Sequence, residues 1–131
     1  MLTDIPKLME SLVNLGGYMG ACLVDADTGL CLDKDGGAAI DLEKAAACNT
    51  DVVRAKRRTI QALALDDEIE DILISLGKQY HLIRPLRKKP NLFLYLILDR
   101  RYANLAYARL SLVEAEERYL QHVEGEAPSG Q

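Results

Sequence analysis

Residues 69–98, IEDILISLGKQYHLIRPLRKKPNLFLYLIL, hold three apolar runs separated by two short breaks. EDILISL, YHLIRPL and NLFLYLIL have the length and composition of strands. Gly77-Lys78 and Arg87-Lys88-Lys89-Pro90 are turn signals. Links this short favour antiparallel pairing, because a parallel crossover needs a dozen or more residues. Leu92 to Leu98 is apolar at every position, so both faces of that strand need cover. It belongs in the middle of a sheet with helices on both sides.

Working outward, residues 39–66 form a long Ala-rich helical segment, and residues 18–33 read as two short strands around a turn at Asp25 to Gly29. Residues 4–15 place Leu8, Leu12 and Leu15 at helical spacing. Pro6 suits the first turn of that helix, Thr3 or Asp4 could cap it, and Gly16-Gly17 ends it. Residues 102–121 are a last helix, and the stretch 123–131, VEGEAPSGQ, reads as a disordered tail. The expectation is one α+β domain over residues 1–122, in the order α-β-β-α-β-β-β-α. A five-stranded antiparallel sheet lies between two helical layers, a three-layer sandwich.

The chain has 131 residues, 49% hydrophobic and 27% charged, which is ordinary for a soluble globular domain. A net charge of -4 argues against a general nucleic-acid binder. MLTDIPKLMESL shows no signal-peptide pattern, and the longest apolar run is far too short for a membrane span. Three cysteines without metal-like spacing suggest a reduced, cytoplasmic protein.

CLVDADTGLCLDKDGG, residues 22–37, is rich in aspartate and glycine but fails as a calcium loop. From Asp25 the sixth and twelfth positions are Leu30 and Gly36, and from Asp33 they are Ala38 and Lys44, where Gly and Glu are required. Turn aspartates bonding their own backbone are the better reading. A hairpin here sets Val24 near Leu30 or Leu32, and Cys22 opposite residue 32 or beyond, so Cys22 and Cys31 are not expected to face each other for a disulfide. All three cysteines, Cys48 included, read as small buried hydrophobes. Gly16 to Gly20 lies between a helix and a strand, the reverse of a phosphate-binding loop. His81 and His122 have no nucleophile or carboxylate at motif spacing. No catalytic residue, metal site or cofactor is expected. Two basic clusters remain, Arg54, Lys56, Arg57 and Arg58 on the long helix and Arg84, Arg87, Lys88 and Lys89 at the second turn. Each reads as a solvated surface or as a patch for an acidic protein partner.

The long helix carries two adjacent apolar series. Leu42, Ala46, Asn49, Val53, Lys56, Ile60 and Leu63 form one; Ala45, Cys48, Val52, Ala55, Thr59 and Ala62, mostly small, form the other. One sheet face needs one stripe, and the helix spans roughly 40 Å at ~1.5 Å per residue, longer than a typical strand. Part of the stripe is therefore expected to meet a second copy. The strand from Ile69 to Leu76 would be a sheet edge protected by its symmetry mate, with the acidic run Asp66 to Asp71 at its entry.

Three stretches resemble the roadblock family, the roadblock-type dynein light chains and their bacterial and archaeal relatives. GGYMGACLVDADTGLCL is similar to the family's first hairpin, ILISLGKQYHLIRPL to its third and fourth strands, and LDRRYANLAYARLSL to the signature after its last strand. In that signature Asp99-Arg100 leads into Ala103-Asn104-Leu105 and then Arg109; Ala106 stands where relatives often carry Gly. The resemblance covers roughly residues 4–118, and it leaves the basic turn at Arg87 to Lys89 unassigned. It implies a profilin-like fold in the order derived above. It also implies a homodimer joined through the long helix and the third strand into a ten-stranded sheet. Family members are not enzymes in themselves. Many bind Ras-like small GTPases, some accelerate GTP hydrolysis by their partner, and others act as scaffolds or motor adaptors.

By position, the resemblance makes Val52, Val53, Ala55, Ile60, Ile72 and Ile74 dimer candidates. Arg54, Arg57, Arg58 and Gln61 become candidates for contact with a Ras-like GTPase or another roadblock-domain protein. The leading expectation is a non-enzymatic, homodimeric regulator or scaffold. The alternatives are a small-molecule sensor holding a ligand between sheet and helix, and a structural adaptor without a GTPase partner.

Overall fold

The computed structural model describes residues 9–126, with side chains placed through residue 123. Its elements are α1 (Glu10–Val13), β1 (Tyr18–Asp25), β2 (Leu30–Gly36), α2 (Leu42–Ala62), β3 (Ile72–Ser75), β4 (Gln79–Pro85), β5 (Leu92–Asp99) and α3 (Leu105–Glu126). The five strands form one sheet in the order β2-β1-β5-β4-β3, and every neighbouring pair is antiparallel. This is the α+β sandwich expected from the apolar runs. β5 is central and buried from Leu92 to Leu98, and β3 is an edge.

Two cores lie on the two faces of the sheet. On one face, α1 and α3 cover Ala21, Leu23, Leu82, Leu94, Leu96 and Leu98 with Met9, Leu12, Ala108, Leu112 and Ala115. On the other, Leu42, Ala46 and Val53 of α2 pack against Cys22, Val24, Ile83, Phe93, Tyr95 and Ile97. The two sets alternate along β1 and β5, as the period of two in a strand requires.

The ends of the elements have local causes. Asp41 caps α2, its carboxylate accepting from Lys44 N at 3.0 Å. The helix stops at Ala62, short of the expected 66, because Ala64 takes a left-handed φ of 54°. Ala64 N then donates to Gln61 O and Leu65 N to Ile60 O, closing the last turn. Asn104 caps α3, accepting from Tyr107 N at 3.0 Å. That helix runs to Glu126 rather than 121, so the expected tail begins inside a helix; residues 127–131 lie outside the described residues. The expected first-helix start at Thr3 to Pro6 also lies outside them. Gly17, with φ of 78°, ends the turn after α1, and a Cβ there would sit 2.5 Å from Asp99 O. It is a chain reversal pressed against β5.

The hairpin of β1 and β2 differs by one residue from the expected register. Val24 pairs with Cys31, because an irregularity between Leu23 and Val24 leaves Leu32 without a partner on β1. Cys22 stands opposite Lys34, beyond residue 32 as expected. The turn aspartate bonds its own backbone, with Asp27 N donating to Asp25 Oδ1 at 2.8 Å. The three thiols are free. Cys22 is buried, and burial, the largest cause, pushes its pKa up and holds it protonated. Cys31 is half-buried. Cys48 is exposed, a correction to the expected buried position, because it falls on the flank of α2 turned away from the sheet.

Candidate partner-binding face

α2 lays a single stripe on the sheet, Leu42, Ala46, Thr50 and Val53. Its second, small-residue series is covered only in part. Ala45 and Val52 are half-buried, and Cys48, Ala55, Thr59 and Ala62 are exposed. Beside that flank runs β3, with Ile72, Leu73 and Ile74 half-buried. Between the two lies an open groove of about 810 Å³, with Val52, Ala55, Thr59 and Ile60 of the helix and Leu65, Ile69 and Ile72 of the segment into β3 on its lining, and Lys56, Asp67, Glu68, Glu70 and Asp71 among them.

The six dimer candidates therefore separate. Val52, Ala55, Ile60 and Ile72 line this groove. Ile74 lies one step further along β3, opposite His81. Val53 is wholly buried in the core of the chain, so it has no surface to offer a second copy; this corrects its assignment. The cause is geometric, since neighbouring helical residues point about 100° apart and only one of Val52 and Val53 can face the sheet.

The partner candidates also divide. Arg54 is turned back onto the β1–β2 turn, donating from Nε to Ala26 O at 3.1 Å and from Nη2 to Asp27 O at 2.6 Å. Arg57 donates from Nη2 to Pro90 O at 2.7 Å. Arg58 and Gln61 are exposed, and no hydrogen bond or ion pair among the described residues engages Arg58. Arg57 thereby joins the basic cluster of α2 to the basic turn between β4 and β5. The two clusters, read separately along the chain, occupy one end of the molecule.

That turn is braced from the opposite helical layer as well. Glu116 of α3 is buried and accepts from Arg84 Nε at 2.6 Å and from Arg87 N at 2.7 Å. The ion pair was missed in sequence reading; the available signal was a lone arginine in the apolar run YHLIRPL, since a buried charge requires a partner. A second missed contact is Arg109 of α3 with Asp71 just before β3, Nε to Oδ2 at 3.0 Å. Together with Asn104 as the cap, it gives the quoted LDRRYANLAYARLSL stretch a physical role in fixing α3 against the edge strand.

His81 is engaged within the fold. Its Nδ1 lies 2.9 Å from Tyr95 Oη and its Nε2 lies 2.8 Å from Gln79 Oε1. Burial lowers its pKa, and burial pushes Tyr95 up to about 12. Among the described residues no group of three or more His, Cys, Asp or Glu could hold a metal ion, and no helix is long and apolar enough to cross a membrane.

No family model matches the sequence, and no curated protein matches it significantly. Solved structures do match in shape. MglB of Myxococcus xanthus superposes with a TM-score of 0.83 at 18% identity, over 99% of this chain and 95% of that one. A Roadblock/LC7 domain from Streptomyces avermitilis gives 0.76 at 11% identity, over 95% and 98%. An MglB structure with a tetrameric arrangement gives 0.78 at 16% identity, over 95% and 90%. The chain has the roadblock, profilin-like fold.

Proposed function

We propose that this protein is a homodimeric regulator or scaffold that binds a Ras-like small GTPase through the paired α2 helices. The observation that carries the reading is the uncovered flank of α2 beside an uncharged edge strand. Two copies related by a two-fold axis would bury the groove of each and pair their β3 strands. Arg58 and Gln61 would then flank the seam and face the GTPase, with Arg57 beside them. Stimulation of hydrolysis, where it occurs, would act by positioning the partner's own groups or by placing a guanidinium near the transition state.

The support is the shared fold with MglB, the groove, and the family resemblance of the sequence. The test is a pull-down from native lysate with the tagged protein, run with a slowly hydrolysed GTP analogue and with GDP. Recovery of a Ras-like GTPase that is lost with Arg58→Glu supports the reading. Recovery of this chain alone, or of other roadblock-fold chains, replaces it with the structural-adaptor alternative.

A further inference from the structure

The turn between β4 and β5 places Arg87, Lys88 and Lys89 in consecutive positions. Such a turn would ordinarily be a loose, solvated loop. Here it is held from three directions. Arg87 N is fixed by the buried Glu116 carboxylate of α3, Pro90 O by Arg57 of α2, and Asn91 O by Ala26 N of the β1–β2 turn at 2.7 Å. Backbone groups make all three attachments on the turn's side, which leaves the Arg87 and Lys89 side chains out of these three bonds.

Between this turn and the C-terminal end of α2 lies a cavity of about 480 Å³. Arg57, Arg84 and Arg87 line it, and so do Asp67, Glu68 and Glu70 of the segment that leads into β3. A chain of net charge -4 thus concentrates cations at one end, with an acidic wall of residues 67–70 lining the same cavity.

We infer that this end is a docking surface for an acidic segment of a partner protein. The carboxylates of the segment would lie against Arg57, Arg58, Arg87 and Lys89. A turn backbone already held in place lowers the ordering cost of binding. The acidic wall repels a carboxylate misplaced across the cavity and so fixes the segment's direction. A flat anionic bilayer would meet that wall together with the cations, so the concave, two-signed shape favours a peptide over a membrane. The inference deepens the proposed partner face and rests on the reading that Arg57 and Arg58 meet a protein.

The test is an NMR titration of the full chain with a hexaglutamate peptide, with phosphatidylcholine/phosphatidylserine vesicles as a separate arm. Saturable shifts at residues 57–58 and 87–89 are expected. Affinity should fall about tenfold in Arg87→Glu/Lys89→Glu, two reversed charges each removing an ion pair of ordinary strength. These changes keep the backbone bonds that hold the turn; Arg87→Gln/Lys89→Gln serves if the double reversal does not fold. Lys34→Glu, on the opposite edge of the sheet, should leave the affinity unchanged. Shifts elsewhere, equal loss with Lys34→Glu, or binding to the vesicles but not to the peptide would overturn the inference. Peptide binding at the turn without recovery of a GTPase would sink the proposed function alone. GTPase recovery unaffected by the turn variants, with no peptide binding, would sink the docking surface alone.

Discussion

The two edges of the sheet are protected by different means. β2, LCLDKDG, alternates exposed and half-buried positions and carries Asp33, Lys34 and Asp35. Tyr18 of β1 donates its hydroxyl to the Asp35 carboxylate at 2.6 Å, tying the edge down. Asp33 has one oxygen, Oδ2, buried without a hydrogen-bond partner among the described residues. An inward-pointing charge, a local irregularity and a charged strand are familiar defences against edge-to-edge association. β3 is ILIS, four residues without a charge, next to an open groove with apolar residues and an acidic rim. One edge discourages pairing through its own side chains, while the other has no charge within the strand and relies on its shortness and on the acidic residues just before it. That difference is the main physical reason to place the second copy at β3.

The largest predicted effect is on assembly. Ala55→Arg puts a large cation into the groove and removes nothing from the protomer core. It should weaken the dimer roughly thirtyfold or more, as a central interface position does, with the circular dichroism spectrum retained. An unchanged association constant would erase the distinction between the edges. Next is Val53→Ala, one residue from the groove flank but turned into the core. It should cost about 2 kcal/mol in urea unfolding from lost burial and the resulting cavity.

The edges should also differ in their response to pH. His81, paired across from Ile74 of β3, has its pKa lowered by burial. The unfolded chain then takes up a proton below about 6.5 that the folded chain resists, so stability falls as pH drops through that point. Tyr18, bound to the β2 edge, has its pKa raised by burial first and by Asp35 second. Its contribution is complete below about pH 10 and is lost as pH rises above it, because the unfolded chain releases the proton first. Urea midpoints from pH 5 to 11 should show both declines. His81→Gln should flatten the acid limb and Asp35→Asn should reduce the alkaline one. The smallest effect belongs to Leu30→Ser on β2, where the side chain is 62% exposed; stability should stay within about 0.5 kcal/mol and assembly should not change.

Much of this was legible in the sequence. The unbroken apolar run Leu92 to Leu98 placed β5 at the centre, because a strand with no polar face needs cover on both sides. The second series on the long helix signalled surface left over after one stripe had packed on the sheet. Other features were not legible. The end of α2 depends on Ala64 in a conformation that sequence reading assigns to glycine. The choice of Val52 over Val53 for the groove depends on helix rotation, which a stripe two residues wide does not fix. The union of the two basic clusters depends on a contact from Arg57 to Pro90, 33 residues apart. The Arg84–Glu116 pair spans 32 residues in the same way. Periodicity reports which face of an element is apolar; it does not report which loops two elements bring together.

The central claim is that the α2 flank and β3 join two copies of this chain. The most direct measurement is the solution mass of the unmodified protein by sedimentation across a range of concentrations. Twice the chain mass of 14.5 kDa, returning to a single chain mass with Ala55→Arg, is the predicted result. A single chain mass at every concentration would contradict the claim, as would a dimer that Ala55→Arg leaves intact.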